Sequence, residues 1–153
     1  CGRERIISVV EKFRGVAHRI EFACERNGVR FFDDSKGTNV GAVIRALESF
    51  PGPVILLMGG RDKGGDFENL ADQLRKHVKT VILFGEAGQQ INSILGGIVN
   101  TTVTGTLREA VAAAYIQAAP GDVVLLSPGC TSFDEFSSYA ERGKHFQHWV
   151  KEL

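Results

Sequence analysis

An α/β fold of three layers is predicted for this 153-residue chain: a mostly parallel sheet, helices on both faces, and one antiparallel edge strand from an N-terminal hairpin. Three features carry the prediction. The apolar runs "PVILLM", "TVILFG" and "DVVLLS" are continuous rather than alternating, as strands covered on both faces are. Helical stretches separate them, and such alternation means right-handed crossovers and a parallel sheet. Ahead of them, "RIEFACE" and "VRFFDDS" flank Asn27-Gly28, a strong hairpin signal that supplies the antiparallel edge.

The elements follow in order. Residues 3–15, "RERIISVVEKFRG", read as a helix closed by Gly15, with Ile6, Val9, Val10 and Phe13 apolar. It precedes the alternation and belongs structurally with whatever comes before; "GVAHR" reads as a linker. After the hairpin, "VGAVIRALESF" is amphipathic. "PVILLM" leads to a helix over "FENLADQLRKH" that Asp66 is placed to cap. "TVILFG" is followed by a helix in "EAGQQINSIL", and "GIVNTTV" is a weaker strand. Thr106 with Glu109 forms a capping box before "LREAVAAAYIQAA". "DVVLLS" is the last strand. Ser132 with Glu135 offers a second capping box for the C-terminal helix, on which Phe136, Tyr139, Gly143, Phe146 and Val150 fall at helical spacing. The pattern is Rossmann-like.

Composition narrows the function classes. Formal net charge is zero, with 24% charged and 43% hydrophobic residues, which argues against a dedicated nucleic-acid binder and against disorder. The longest apolar run is too short to cross a bilayer. Cys1, Cys24 and Cys130 are odd in number and lack CxxC spacing, so they read as reduced cytosolic thiols. Cys1 in place of an initiator Met suggests a piece of a longer protein. His145 and His148 stand three apart on the last helix with no third ligand near in sequence, so no metal site is expected there; His77 reads as a helix-dipole partner.

Ligands of open α/β sheets bind at the carboxyl ends of the strands, and three loops there are rich in chemistry: "DDSKGTN" (33–39), "GGRDKGGDF" (59–67) and "SPGCTSFDEF" (127–136). Each is expected to open a helix N-terminus, which favours an anion. Lys36 and Lys63 add charge, and Thr131 and Ser132 add hydroxyls. Such a rim suits a small ligand carrying more than one carboxylate. Taken singly, Asn39 and Ser132 read as caps, Asp33 as a turn residue and Arg19 as an edge-strand charge. Gly59 and Gly64 have Walker spacing, but Gly65-Asp66 stands where Lys-Ser/Thr is needed, and GxGxxG is missing too. A nucleotide's phosphates would therefore be held mainly by another part of the protein, with Asp33 or Asp34 reaching a ribose hydroxyl and Arg19 a phosphate.

Those three loops, in this order and spacing, together with "HRIEFACERNGVRFF" and "SSYAERGKHF", resemble the C-terminal domain of the Mur ligases, in the branch that joins D-glutamate to UDP-N-acetylmuramoyl-L-alanine. The likeness runs from about Phe13 to the end. It implies that residues 1–17 close a central ATPase domain and linker helix, and that residues 18–153 form the amino-acid-binding domain. It further implies a cytoplasmic bacterial enzyme of peptidoglycan synthesis, with ATP and Mg²⁺ held mainly by the central domain. By motif position, Lys36, Thr38, Lys63, Ser132, Phe133 and Tyr139 would hold D-glutamate, while Arg19, Asp34 and His18 would face the nucleotide. No metal ligand and no certain catalytic residue falls in this domain, and neither nucleic acid nor membrane is expected as a partner. Tyr139 stands where the family typically has Phe, and Gly37 where Ala is usual.

Three charge-assisted contacts of about 1.5–3 kcal/mol each face an association cost of about 4 kcal/mol or more. The chain alone is therefore expected to bind D-glutamate at millimolar affinity or weaker and to hydrolyse no ATP; micromolar affinity in a titration would contradict this. Closure of the domain is expected to hinge at "FRGVAHR", around Gly15. Two readings stay open beside this one: a folylpolyglutamate synthase-like ligase, and a non-catalytic small-anion-binding module. A phospho-receiver lacks its acidic residue at "MGG" and its lysine at "SPGC".

Overall fold

The computed structural model describes residues 17–153, so the expected helix over 3–15 and the hinge glycine Gly15 lie outside the described residues. Six strands form one sheet: β1 (Glu21–Arg26), β2 (Val29–Asp33), β3 (Val54–Gly59), β4 (Val78–Phe84), β5 (Thr101–Val103) and β6 (Val123–Leu126). Their spatial order is β1-β2-β6-β3-β4-β5. Only β1 and β2 pair antiparallel, through the Asn27-Gly28 turn; both residues have positive φ (52° and 79°), as a type I′ turn demands. The other four pairings are parallel.

Among the described residues five α-helices cover the sheet: α1 (Val40–Glu48), α2 (Ala71–His77), α3 (Gly88–Leu95), α4 (Leu107–Gln117) and α5 (Tyr139–Lys151). Strand side chains divide between the two faces by the period of two. Phe32, Leu56, Met58 and Leu125 meet Val43, Leu47, Leu74 and Ile91 from the first three helices. Phe31, Ile55, Leu57 and Leu126 meet Leu107, Val111, Phe146 and Val150 from the last two. All six residues of β3 are buried, which explains why its sequence shows no alternation.

Local signals fared unevenly. Asn39 caps α1 by accepting from the Ala42 amide, and Thr106 caps α4 by accepting from the Glu109 amide. Asp66 makes no side-chain capping bond; a short 3₁₀ turn, Phe67–Leu70, precedes α2. Ser132 and Glu135 do not open the C-terminal helix either. That helix starts at Tyr139 and is capped by Ser138, which accepts from the Glu141 amide. Phe136 therefore lies ahead of α5, while Gly143, Phe146 and Val150 make its buried face.

Candidate functional site

β6 lies between β2 and β3, so the loop after it is the middle of three adjacent loops on one edge of the sheet. Backbone bonds knit them together. The Gly129 amide donates to Gly37 O (2.9 Å), joining the third loop to the first. Arg61 and Thr131 exchange both backbone bonds at 3.0 Å, joining the second loop to the third. Only the first loop leads directly into an α-helix. The second enters the 3₁₀ turn, and the third crosses residues 131–138 before α5 begins.

Both lysines are exposed and both rest against aromatic rings of the third segment. Lys36 Nζ stands 6.0 Å from the Tyr139 ring centroid, and Lys63 Nζ stands 5.9 Å from that of Phe133. Phe133 is 54% and Tyr139 38% exposed, so each presents a broad face to an incoming ligand. Ser132, next to Phe133 in the chain, is buried, and its Oγ bonds to no described residue. Thr38 is half-buried. The geometry thus gathers Lys36, Lys63, Ser132, Phe133 and Tyr139 around one segment, with Thr38 on the adjoining turn.

The residues expected near a nucleotide divide. Arg19 and Asp34 line one cleft with Lys36 and Arg45, a hollow of about 190 Å³. Asp34 is 4% exposed; its Oδ1 accepts from the Ile20 amide (3.3 Å), and Ser127 Oγ donates to its Oδ2 (2.8 Å). Burial pushes its carboxyl up to about 7, with the Ser127 and Ile20 bonds acting in the other direction. His18 turns inward instead. Its Nδ1 lies 2.6 Å from Asp33 Oδ2, and that bond raises the imidazole pKa above its usual value against the effect of burial.

Asp33 is therefore more than a turn residue. It is fully buried and also accepts from the Ser35 amide (2.8 Å) and Gln147 Nε2 (2.8 Å). His18, Glu21 and Asp33 bring ligand-type atoms within 4.8 Å of one another, but hydrogen bonds already occupy them: Gln147 bridges Glu21 and Asp33, and the His18 amide donates to Glu21. The cluster pins the lead-in turn, where His18 and Ile20 both adopt left-handed φ (60° and 47°). Such strain persists only where its surroundings hold it. The Lys36 amide, donating to His18 O (2.9 Å), ties that turn to the first loop.

Arg142 was not singled out from sequence, and Gly143 was read only as part of the helical stripe. Arg142, on α5, is fully buried among the loops. Gly143 beside it lets the His18–Asp33 pair approach the helix; a Cβ there would fall 2.2 Å from His18 Nδ1. A charged residue beside an apolar helical stripe was the available signal for Arg142.

Comparison with known proteins bears on the family and the fold. The chain is 58% identical over 151 residues to the UDP-N-acetylmuramoylalanine–D-glutamate ligase of Syntrophus aciditrophicus, covering 99% of this chain and 33% of that protein. The chain thus spans about a third of the curated relatives it matches. Among solved structures, MurF from Acinetobacter baumannii superposes with TM-score 0.62 at 18% identity, over 90% of this chain and 31% of that one. Escherichia coli FolC in complex with ADP gives 0.59 at 18% identity, with the same coverage. At such identities the two structures support the fold alone. Residues 18–130 match the profile described as Mur ligase, glutamate ligase domain, and the chain belongs to that family.

Proposed function

We propose that this chain is the amino-acid-binding domain of an ATP-dependent ligase that joins D-glutamate to UDP-N-acetylmuramoyl-L-alanine in the bacterial cytoplasm, for peptidoglycan synthesis. The observation that carries the reading is the rim of three interlocked loops, where two lysines and a buried, unpartnered serine hydroxyl converge on residues 132–139. One ammonium for each carboxylate of glutamate, with the Ser132 hydroxyl, the Phe133 amide and the Thr38 hydroxyl as donors, satisfies a dicarboxylate by charge-assisted bonds. Phe133 and Tyr139 keep the ammoniums over their rings and shield the contacts from water.

In the reaction, a carboxylate oxygen of the muramoyl-alanine attacks the γ-phosphorus of ATP, and ADP leaves. The glutamate amine attacks the acyl phosphate, loses a proton, and the tetrahedral intermediate expels phosphate to leave the amide. ATP and its Mg²⁺ are held mainly by another part of the longer protein. Arg19 and Asp34 border a cleft too small to enclose a nucleotide, so they contact its edge: Asp34 a ribose hydroxyl and Arg19 a phosphate. Closure of this domain over the nucleotide then excludes water from the acyl phosphate.

The test is phosphate release from ATP by the longer protein. Release should require both D-glutamate and UDP-N-acetylmuramoyl-L-alanine. Lys63→Met and Lys36→Met should each lower kcat/KM for glutamate by about ten- to hundredfold, the loss of one charged hydrogen bond. Release that needs a folate acceptor, or that ignores glutamate altogether, would overturn the reading.

A further inference from the structure

Among the described residues Arg142 is the largest side chain fully hidden from solvent, yet its three hydrogen bonds all go to neutral oxygens. Nε donates to Ser35 Oγ (2.9 Å) and Nη2 to Ser35 O (2.7 Å), both in the first loop. Nη1 donates to Cys130 O (3.1 Å) in the third. The second loop passes beside the same group, where a Cβ on Gly60 would stand 3.3 Å from Nη1. Ser35 is fully buried in turn, and its hydroxyl donates onward to Tyr139 O (2.7 Å). One guanidinium therefore bonds two loops of the rim and lies beside the other. Asp134, Asp33 and Glu135 act on it only as charges at a distance. A buried cation without a contacting counter-ion is costly to maintain, and here it lies behind a rim already furnished for an anion.

We propose that Arg142 is a positioning residue for the dicarboxylate ligand: its fork locks the first loop to the third, so that Lys36 and Ser132 address one molecule, and its unneutralised charge adds to the attraction. The fork is what the task requires. A guanidinium reaches Ser35 and Cys130 from one plane, whereas an ammonium is a single point. Lys36 follows Ser35 directly and Ser132 lies two residues beyond Cys130, so slack at Arg142 passes to both. Misplacement of about 1 Å in a binding array costs on the order of a hundredfold.

This proposal rests on the glutamate-ligase reading and deepens it. In the full-length enzyme, Arg142→Met should raise KM for D-glutamate by about ten- to hundredfold per folded molecule, leaving KM for ATP within about twofold. Arg142→Lys, which restores charge without the fork, should fall between Met and wild type. Ser35→Ala removes one acceptor of the fork and should raise the glutamate KM about threefold or more, with an effect that does not add to that of Arg142→Met. Should the Met variant fail to fold, the Lys and Ser35 variants carry the test. A purely structural role would lower the melting temperature and yield while leaving the glutamate KM of the folded enzyme unchanged. Folded variants whose KM stays within about twofold of wild type, in an enzyme that does require glutamate, would overturn the Arg142 proposal alone. A wild type indifferent to glutamate would overturn both.

Discussion

Asp34→Asn will stabilise the chain at pH 8 and flatten the dependence of its melting temperature on pH. Asp34 is almost wholly buried, and its carboxyl holds its proton up to about pH 7, whereas the unfolded chain releases it near 3.8. Between those values the folded state binds the extra proton, so stability falls as pH rises through the window and levels off above 7. Three pH units correspond to about 4 kcal/mol in all, of which about 2–3 kcal/mol falls between pH 5 and 8. His18 acts with the same sign. Its pKa is raised by Asp33, so its contribution is complete below the ordinary value of 6.5 and is lost as pH climbs through the raised one. The wild-type chain should therefore melt on the order of 5–10 °C lower at pH 8 than at pH 5, at about 2–4 °C per kcal/mol. Asparagine retains both bonds, with Oδ1 accepting from the Ile20 amide and Nδ2 donating to Ser127 Oγ, and removes the Asp34 part of the slope while leaving the parts due to His18 and the half-buried Glu135. Above pH 7, where the wild-type carboxyl is ionised, the same change should weaken nucleotide binding in the full enzyme, because the ribose loses an anionic acceptor. Calorimetry on both proteins at the two pH values decides the matter, and a wild-type melting temperature that does not fall with pH would refute it.

A carboxylate kept at such a cost at the mouth of the cleft fits a site that trades stability for chemistry. The same trade recurs nearby. His18 and Ile20 adopt left-handed backbone angles that neither residue favours, and both are held by bonds to the first loop or to Asp33. The lead-in turn and the site loop therefore stand or shift together.

Periodicity read the fold well because the sheet is buried on both faces. Continuous apolar runs located β3, β4 and β6, and Asn27-Gly28 located the hairpin through backbone angles that few other pairs tolerate. Where two local signals competed, tertiary contacts decided. Ser132 and Glu135 have capping-box spacing, but the backbone from Cys130 onward is drawn across the second loop by the Arg61–Thr131 bonds. Glu135 is left reaching the Leu107 amide at the start of α4, and the cap falls to Ser138. Asp66 lost its capping role when the chain tightened into a 3₁₀ turn. The exposed position of the rim lysines was legible because lysines in glycine loops at strand ends serve no packing purpose. Arg142 and the His18–Asp33 pair were not, because their roles exist only once residues 107 and 15 positions apart meet. The resemblance supplied ligand chemistry that spacing alone left open.

Gly143→Ala will destabilise the domain by about 3–5 kcal/mol, although alanine is the better helix former by about 1 kcal/mol. The added methyl would lie 2.2 Å from His18 Nδ1, 2.8 Å from His18 Cε1 and 2.7 Å from Asp33 Oδ2. Neither neighbour can yield. The His18 backbone is fixed on both sides, its amide donating to Glu21 Oε1 and its carbonyl accepting from Lys36. Asp33 is held by Ser35 and Gln147. The methyl therefore parts a buried hydrogen-bonded pair or pushes α5 away from β2, and either cost exceeds the gain in helix propensity. Removing the obstructing ring provides the control. His18→Ala alone should destabilise by a smaller amount, since Asp33 keeps two donors, and the double variant should be more stable than Gly143→Ala, a non-additivity of 1 kcal/mol or more by order of magnitude. Denaturant midpoints of the four proteins give the cycle. A single Gly143→Ala variant that unfolds at the wild-type midpoint would mean that α5 is not seated on this pair, and with it the account of how the helix carries Arg142 to the loops would fail.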